Sequence, residues 1–119
     1  MSATQSSILE GYGETGAGNC IDGDIDGQYS LCHTNENTGN DDASPWIAVD
    51  YGTRVNVERV EIFNRLDAGG DATRNVDVRI SDELPTSGDQ MFSGGHLLGH
   101  FAGPGTNGQH IIVSGQKLL

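Results

Sequence analysis

Short runs in which apolar and polar residues alternate, separated by glycine-rich turns, constrain this chain more than any other feature. Val55-Asn56-Val57-Glu58-Arg59-Val60-Glu61-Ile62-Phe63 and Val76-Asp77-Val78-Arg79-Ile80 carry apolar side chains mostly at every second position, the period at which a strand buries one face. Pro45-Trp46-Ile47-Ala48-Val49-Asp50-Tyr51, ended by Gly52, reads as another strand, and weaker ones follow at Leu97 to Phe101 and His110 to Val113. No stretch has apolar residues at helical spacing. The 18 glycines fit many tight turns better than helices, because glycine is costly inside a helix and supplies turn geometry cheaply. Asp82 to Gly95 and Gly103 to Gly108 read as such turns. Several short strands without helices point to an all-β antiparallel sandwich or barrel, and 119 residues suit one compact domain rather than two.

Charge excludes some partners. Seventeen acidic residues against six basic ones give a formal net charge of -11, which repels phosphate backbones and anionic lipid heads, so neither nucleic acid nor a membrane surface is expected as a partner. No apolar run approaches the length of a membrane span, and the start MSATQSS has neither the basic residues nor the apolar stretch of a secretory signal. Cys20 and Cys32 fit one disulfide across a short loop and equally two thiols in a reducing compartment.

From Ile8 to Asn40 the chain nearly lacks apolar periodicity and is dense in Gly, Asp and Asn, the composition of loops that carry function. Four patterns in the chain bear on chemistry. Gly11-Tyr12-Gly13-Glu14-Thr15-Gly16 fits a dinucleotide-binding spacing, but no apolar strand precedes it and no helix follows to receive a pyrophosphate. Asp22-Gly23-Asp24-Ile25-Asp26-Gly27 alternates carboxylates as calcium needs, although its twelfth position is His33 rather than a bidentate glutamate and no helices flank it. His96 and His100 have the spacing of zinc ligands on a helix, yet glycines surround them; on an extended strand they would share a face roughly 13 Å apart, too far for one ion. Asn64-Arg65-Leu66-Asp67 follows a strand, with His33-Thr34 upstream. An arginine there offers a planar fork of donors to hydroxyl groups, an aspartate orients it, and a histidine adds a further hydrogen bond.

From Ala3 to about Ser81 the chain resembles the F-type (fucose-binding) lectin family, a branch of the discoidin-like jelly rolls. The residues that carry the likeness are Ala3-Thr4-Gln5-Ser6-Ser7, Asn19-Cys20-Ile21-Asp22-Gly23-Asp24, Cys32-His33-Thr34, Pro45-Trp46-Ile47-Ala48-Val49-Asp50 and Asn64-Arg65-Leu66-Asp67, in that order. The opening and the tryptophan strand fit any discoidin-like domain, whereas His-Thr followed by Asn-Arg-x-Asp separates the fucose binders. The resemblance implies a non-catalytic lectin for fucosylated glycans with terminal L-fucose or a similar sugar. His33 and Arg65 would bond the sugar, Asp67 would orient Arg65, and Tyr29 would cover the methyl group. It also implies a structural calcium ion held by Asn19, Asp22, Asp24 and Ser30, and a secreted or extracellular setting.

Several positions depart from the family pattern. Ala72 stands where the second basic residue is expected, and Arg74, two residues on, is the nearest replacement; Ala68 and Gly69 replace paired cysteines. The loop from Asn35 to Ser44 is longer than usual. Ending at Leu119, before the family's final strands, the chain reads as a jelly roll lacking its C-terminal strands: a fragment, a truncated gene model, or a fold completed by another chain, since open edges are a liability; a homo-oligomer is also among the expected partners. Two other readings fit the sequence: an accessory module of a glycosidase, and a discoidin-like adhesion domain in which His33 and Arg65 serve structure alone. No serine elbow, zinc motif or catalytic carboxylate pair marks the chain as an enzyme.

Overall fold

The computed structural model describes residues 1–7, 16–23, 31–34, 45–66, 69–83 and 94–115. They contain six strands, β1 (Ser2–Gln5), β2 (Ile47–Asp50), β3 (Arg59–Phe63), β4 (Val76–Ile80), β5 (His96–Phe101) and β6 (His110–Ser114), and two 3₁₀ turns, Ala17–Cys20 and Gly70–Ala72. The strands form three antiparallel pairs, β1 with β2, β3 with β6 and β4 with β5. This is a mostly antiparallel β architecture with little helix, consistent with a discoidin-like β-sandwich of the jelly-roll kind. The chain divides into two compact units: described residues up to 54 belong to the first, and those from 55 onward to the second.

In the first unit, Ser2 pairs with Asp50 and Gln5 with Ile47. The ribbon continues one step further, because Ser6 N–H donates to the Trp46 carbonyl (2.9 Å) and Trp46 N–H to the Ser6 hydroxyl (3.0 Å). Among the described residues of this unit the one buried apolar side chain is Ala17. Covalent chemistry supplements that thin core: Cys20 and Cys32 form a disulfide with Cα atoms 5.5 Å apart.

The second unit has a true apolar interior. Along the β3–β6 ladder, Val60 pairs with Val113 and Ile62 with Ile111; Ile111 and Val113 are buried, as is Leu98 of β5. Burying side chains of this size contributes about 1.5–3 kcal/mol each. Bare backbone permits the packing, since a Cβ on Gly99 of β5 would stand 2.6 Å from Val113 Cγ1, and one on Gly115 would stand 2.6 Å from Leu98 Cδ1. The opposite face of the β3–β6 ladder meets solvent, where Phe63 stacks on His110 at 4.4 Å and His110 Nε2 lies 3.0 Å from the Glu61 carboxylate.

Two strands differ from the alternation pattern. Among the described residues the strand expected over 55–63 is confined to Arg59–Phe63, with one further bond from Gly115 N–H to the Glu58 carbonyl (3.1 Å). The β4–β5 ladder carries a bulge between Val78 and Arg79, with Asp77 opposite His100 and Ile80 opposite His96. Asp77 and Ile80 lie an odd number of residues apart and so point to opposite faces. The bulge therefore sends His96 and His100 to opposite faces as well, in place of the shared face expected of a regular strand, and the His100 ring bonds Asp77 at 2.7 Å.

Candidate functional site

His33 lies in the first unit, on a segment anchored from three directions. Cys32 beside it is held by the disulfide to Cys20, the Asn19 side-chain amide donates to the Leu31 carbonyl at 3.2 Å, and the Gln5 amide of β1 donates to the His33 carbonyl at 2.9 Å. The half-buried ring places Nδ1 against the Thr34 carbonyl. A carbonyl only accepts, so Nδ1 carries the proton, and the lone pair of the neutral ring is on Nε2.

Arg65 lies in the second unit, directly after β3, where two loops are stitched together. The β3–β4 connection contributes Asn64 to Asn75 and the β5–β6 connection Ala102 to Gln109. Backbone bonds run from Asn64 N–H to Gln109 O (3.0 Å), Gly108 N–H to Arg65 O (2.7 Å), Gly105 N–H to Thr73 O (2.8 Å) and Asn75 N–H to Ala102 O (3.0 Å). The first two extend the β3–β6 ladder and fix the backbone on both sides of Arg65.

Asn64 is the hub of this end. It is the buried polar residue among those described, and its amide is used in full. Nδ2 donates to the Gly70 and Thr106 carbonyls, each at 2.9 Å, while Oδ1 accepts from the Thr73 hydroxyl at 2.8 Å. A buried amide so satisfied fixes loop position, whereas a half-satisfied one costs stability. Glycine lets the loops approach: a Cβ on Gly105 would stand 2.9 Å from Asn64 Nδ2, and one on Gly70 would stand 2.6 Å from Asn107 Oδ1. The Arg65 side chain, half-buried, runs over Gly69, with its Nη1 3.7 Å from where a Cβ would be.

Arg74 is exposed and tethered locally. Its Nε donates to the Asp71 carbonyl at 2.9 Å, and its guanidinium lies 3.7 Å from the Asp71 carboxylate. Ala72 closes the Gly70–Ala72 3₁₀ turn and Thr73 caps it. Residues two apart share a face only on an extended strand, so position 74 does not take the direction of position 72 here. Asp67 and Tyr29, expected to orient the arginine and cover the sugar, lie outside the described residues.

The calcium loop expected at Asn19, Asp22, Asp24 and Ser30 is corrected. Among the described residues no group of three or more His, Cys, Asp or Glu side chains is gathered to hold a metal ion; Asp24 and Ser30 lie outside those residues. Calcium needs six to eight oxygens around one point. Asn19 instead turns its amide nitrogen to the Leu31 carbonyl and Asp22 is exposed, so the disulfide and side-chain amides tie this segment.

The residues that sequence reasoning passed over are those that brace Arg65: Asn64, quoted in the motif but given no role, and Asn107 with the glycines of the β5–β6 connection. Their signal was the crowding of Gly103, Gly105 and Gly108 into six residues. Gly103 and Gly108 adopt φ of 69° and 73°, a conformation that side chains rarely tolerate.

A family model described as NedA-like, galactose-binding domain matches residues 19–95, a span that takes in both His33 and Arg65. No curated protein matches the chain.

Proposed function

The chain belongs to the NedA-like, galactose-binding domain family, and on that premise we propose that it is a lectin for a terminal galacto-configured sugar, with L-fucose the first choice. It is a discoidin-like domain of the carbohydrate-binding type, and domains of this class are non-catalytic binding modules. L-fucose is 6-deoxy-L-galactose, differing from L-galactose only at C6 but belonging to the mirror-image series of D-galactose, so binding of fucose and binding of D-galactose are distinct outcomes for a chiral site. The order of Cys32-His33-Thr34 and Asn64-Arg65-Leu66-Asp67 supports the narrower choice.

The observation that carries the reading is the bracing of Arg65. A guanidinium presents a planar fork of donors that suits a pair of neighbouring hydroxyl oxygens, and it discriminates between sugars only if its direction is fixed. The ladder bonds on both sides of Arg65, the Asn64 amide and the bare backbone of Gly69 supply that fixity. His33 is proposed as a further sugar-binding residue on the order of the Cys32-His33-Thr34 motif alone. The motif resemblance assigns Asp67 to orient Arg65 and Tyr29 to cover the apolar side of the sugar, and leaves Arg74, tied to Asp71, as the remaining cation nearby in sequence. The Cys20–Cys32 disulfide supports an oxidising, extracellular setting.

Titration calorimetry with the methyl glycosides of L-fucose, L-galactose and D-galactose tests the reading. Binding of the fucoside by the wild type is expected, with a loss of roughly ten- to hundredfold in Arg65→Ala, the cost of a charged donor to a bound hydroxyl. A folded Arg65→Ala protein that binds like the wild type would overturn the assignment. Silence of the folded wild type towards all three sugars would favour an adhesion domain.

A further inference from the structure

Recognition through Arg65 leaves the β5–β6 connection without a direct part, yet that connection makes most of the contacts that hold the arginine's loop. We infer that Asn107 is a positioning residue for Arg65, acting through the Gly69-Gly70 turn; the inference rests on the reading of Arg65 as a sugar ligand.

Asn107 lies in a tight turn in which Gln109 N–H returns to the Thr106 carbonyl at 3.1 Å, with Gly108 at φ 73° as its third residue. A second bond, from Thr106 N–H to the Gln109 side-chain oxygen at 2.9 Å, closes the turn on itself. Asn107 sits at the turn's exposed second position, which almost any residue can occupy. The turn itself therefore does not demand asparagine. The side chain bonds outside the turn instead: its Oδ1 accepts the Gly70 N–H at 2.8 Å.

Gly70 is thereby held at both ends of its peptide environment, by Asn107 at its N–H and by Asn64 Nδ2 at its carbonyl. The fit excludes a side chain, because a Cβ on Gly70 would stand 2.6 Å from Asn107 Oδ1 and 2.7 Å from the Asn107 backbone nitrogen. The residue before it, Gly69, turns through φ 72°, and the Arg65 side chain passes beside it, with Nη1, Cδ and Cζ within 4.0 Å of the place its Cβ would take. Two links thus join Asn107 to the arginine: a hydrogen bond fixes Gly70, and the peptide it shares with Gly69 carries that constraint to the residue beside which the Arg65 side chain passes. Removing the Asn107 amide leaves the turn anchored through Asn64 and through the Gly105 bond to Thr73 at its far end, and frees its Gly69-Gly70 end to shift, which changes the direction of the fork without emptying any apolar core.

A positioning role differs from a general structural one in what it moves. Asn107→Ala is expected to unfold within a few degrees of the wild type, yet to bind the methyl fucoside roughly tenfold more weakly, the equivalent of one misdirected hydrogen bond. Asn107→Asp keeps an acceptor at Oδ and restores affinity to within about threefold, which a change in folding alone would not do. The Nε–Hε resonance of Arg65 supplies a readout that needs no sugar: it is expected to broaden or move in Asn107→Ala and to return in Asn107→Asp. Fucoside affinity in Asn107→Ala equal to the wild type, with the Arg65 resonance unmoved, would overturn the inference while Arg65→Ala still abolished binding. An Arg65→Ala protein with full affinity would instead remove the sugar reading, and the resonance alone would then decide whether Asn107 positions the arginine.

Discussion

The segment that carries His33 and the segment that carries Arg65 are held by opposite means. Around His33 the described residues bury one apolar side chain, Ala17, and the Cys20–Cys32 disulfide with the amides of Gln5 and Asn19 keeps the chain in place. Among the described residues the buried Trp46 indole N–H of this unit has no acceptor. Around Arg65 there is no covalent tie. Ile111, Val113 and Leu98 form an interior, and Asn64 spends its whole amide on two loops brought together by glycine. The contrast shows two solutions to one problem. A loop of few apolar contacts can be restrained in the unfolded state, by a cross-link, or in the folded state, by a satisfied buried amide; the first needs an oxidising environment and the second needs near-perfect approach of backbones.

The largest effect that could break this contrast comes from the cross-link. Bridging residues twelve apart is expected to stabilise by about 3 kcal/mol, mainly through the lost entropy of the unfolded chain. The Cys20→Ala/Cys32→Ala double variant should therefore melt on the order of 10 °C lower in a calorimetric scan. Amide exchange at Asn64, Gly105 and Gly108 is the internal control. Protection there that survived the substitution would show the amide-braced end to be independent of the cross-link, and its collapse would show that the contrast is false.

A smaller effect is expected from the hub. Asn64→Ala removes one donor each from the Gly70 and Thr106 carbonyls, which keep the Thr73 and Gln109 N–H groups, and takes the acceptor from the Thr73 hydroxyl; losing these three bonds costs about 2 kcal/mol. Urea unfolding would measure it. The variant sharpens the comparison because nothing cross-links the loops to absorb the loss: their amides should exchange faster even where the protein as a whole remains folded. A variant as stable as the wild type would mean that the glycine approaches and ladder bonds position Arg65 without the buried amide.

How much of this was legible in the sequence follows from which interactions are local. The alternation at Val76–Ile80 and near His110–Ser114 revealed β4 and β6, because each strand's buried face is written in its own residues. β1 was not legible: Ser2–Gln5 has a single apolar residue, Ala3, and becomes a strand by pairing with β2. Conversely, Val55 to Val57 alternate outside any ladder of the described residues, and periodicity cannot say whether a partner exists. The bulge opposite Val78 and Arg79 escapes a period count because one inserted residue leaves composition unchanged. At the site, the Asn-Arg-Leu-Asp run drew notice to Arg65, but the bond that gives Asn64 its purpose reaches the Thr106 carbonyl 42 residues away. Only the glycines of residues 103–108 hinted that another backbone comes close there.

The smallest expected effect concerns calcium, where sequence and structure part. Alternating aspartates at Asp22 and Asp24 have the spacing of an oxygen cage, but spacing describes only the chain's opportunity to bind. A cage must also aim its oxygens at one point, and a chain cross-linked at Cys20 has little freedom left to do so. With Asn19 pledging its amide nitrogen to Leu31 and Asp22 exposed, no metal cluster forms among the described residues. The melting temperature should then be the same, within about one degree, in millimolar calcium and in excess chelator. A cation that bound the folded state alone would raise stability by about 2.7 kcal/mol at a hundred times its Kd, a shift too large to miss. Observing it would mean that the His33 segment is restrained by an ion as well as by its disulfide, and the two units would no longer stand as covalent against noncovalent.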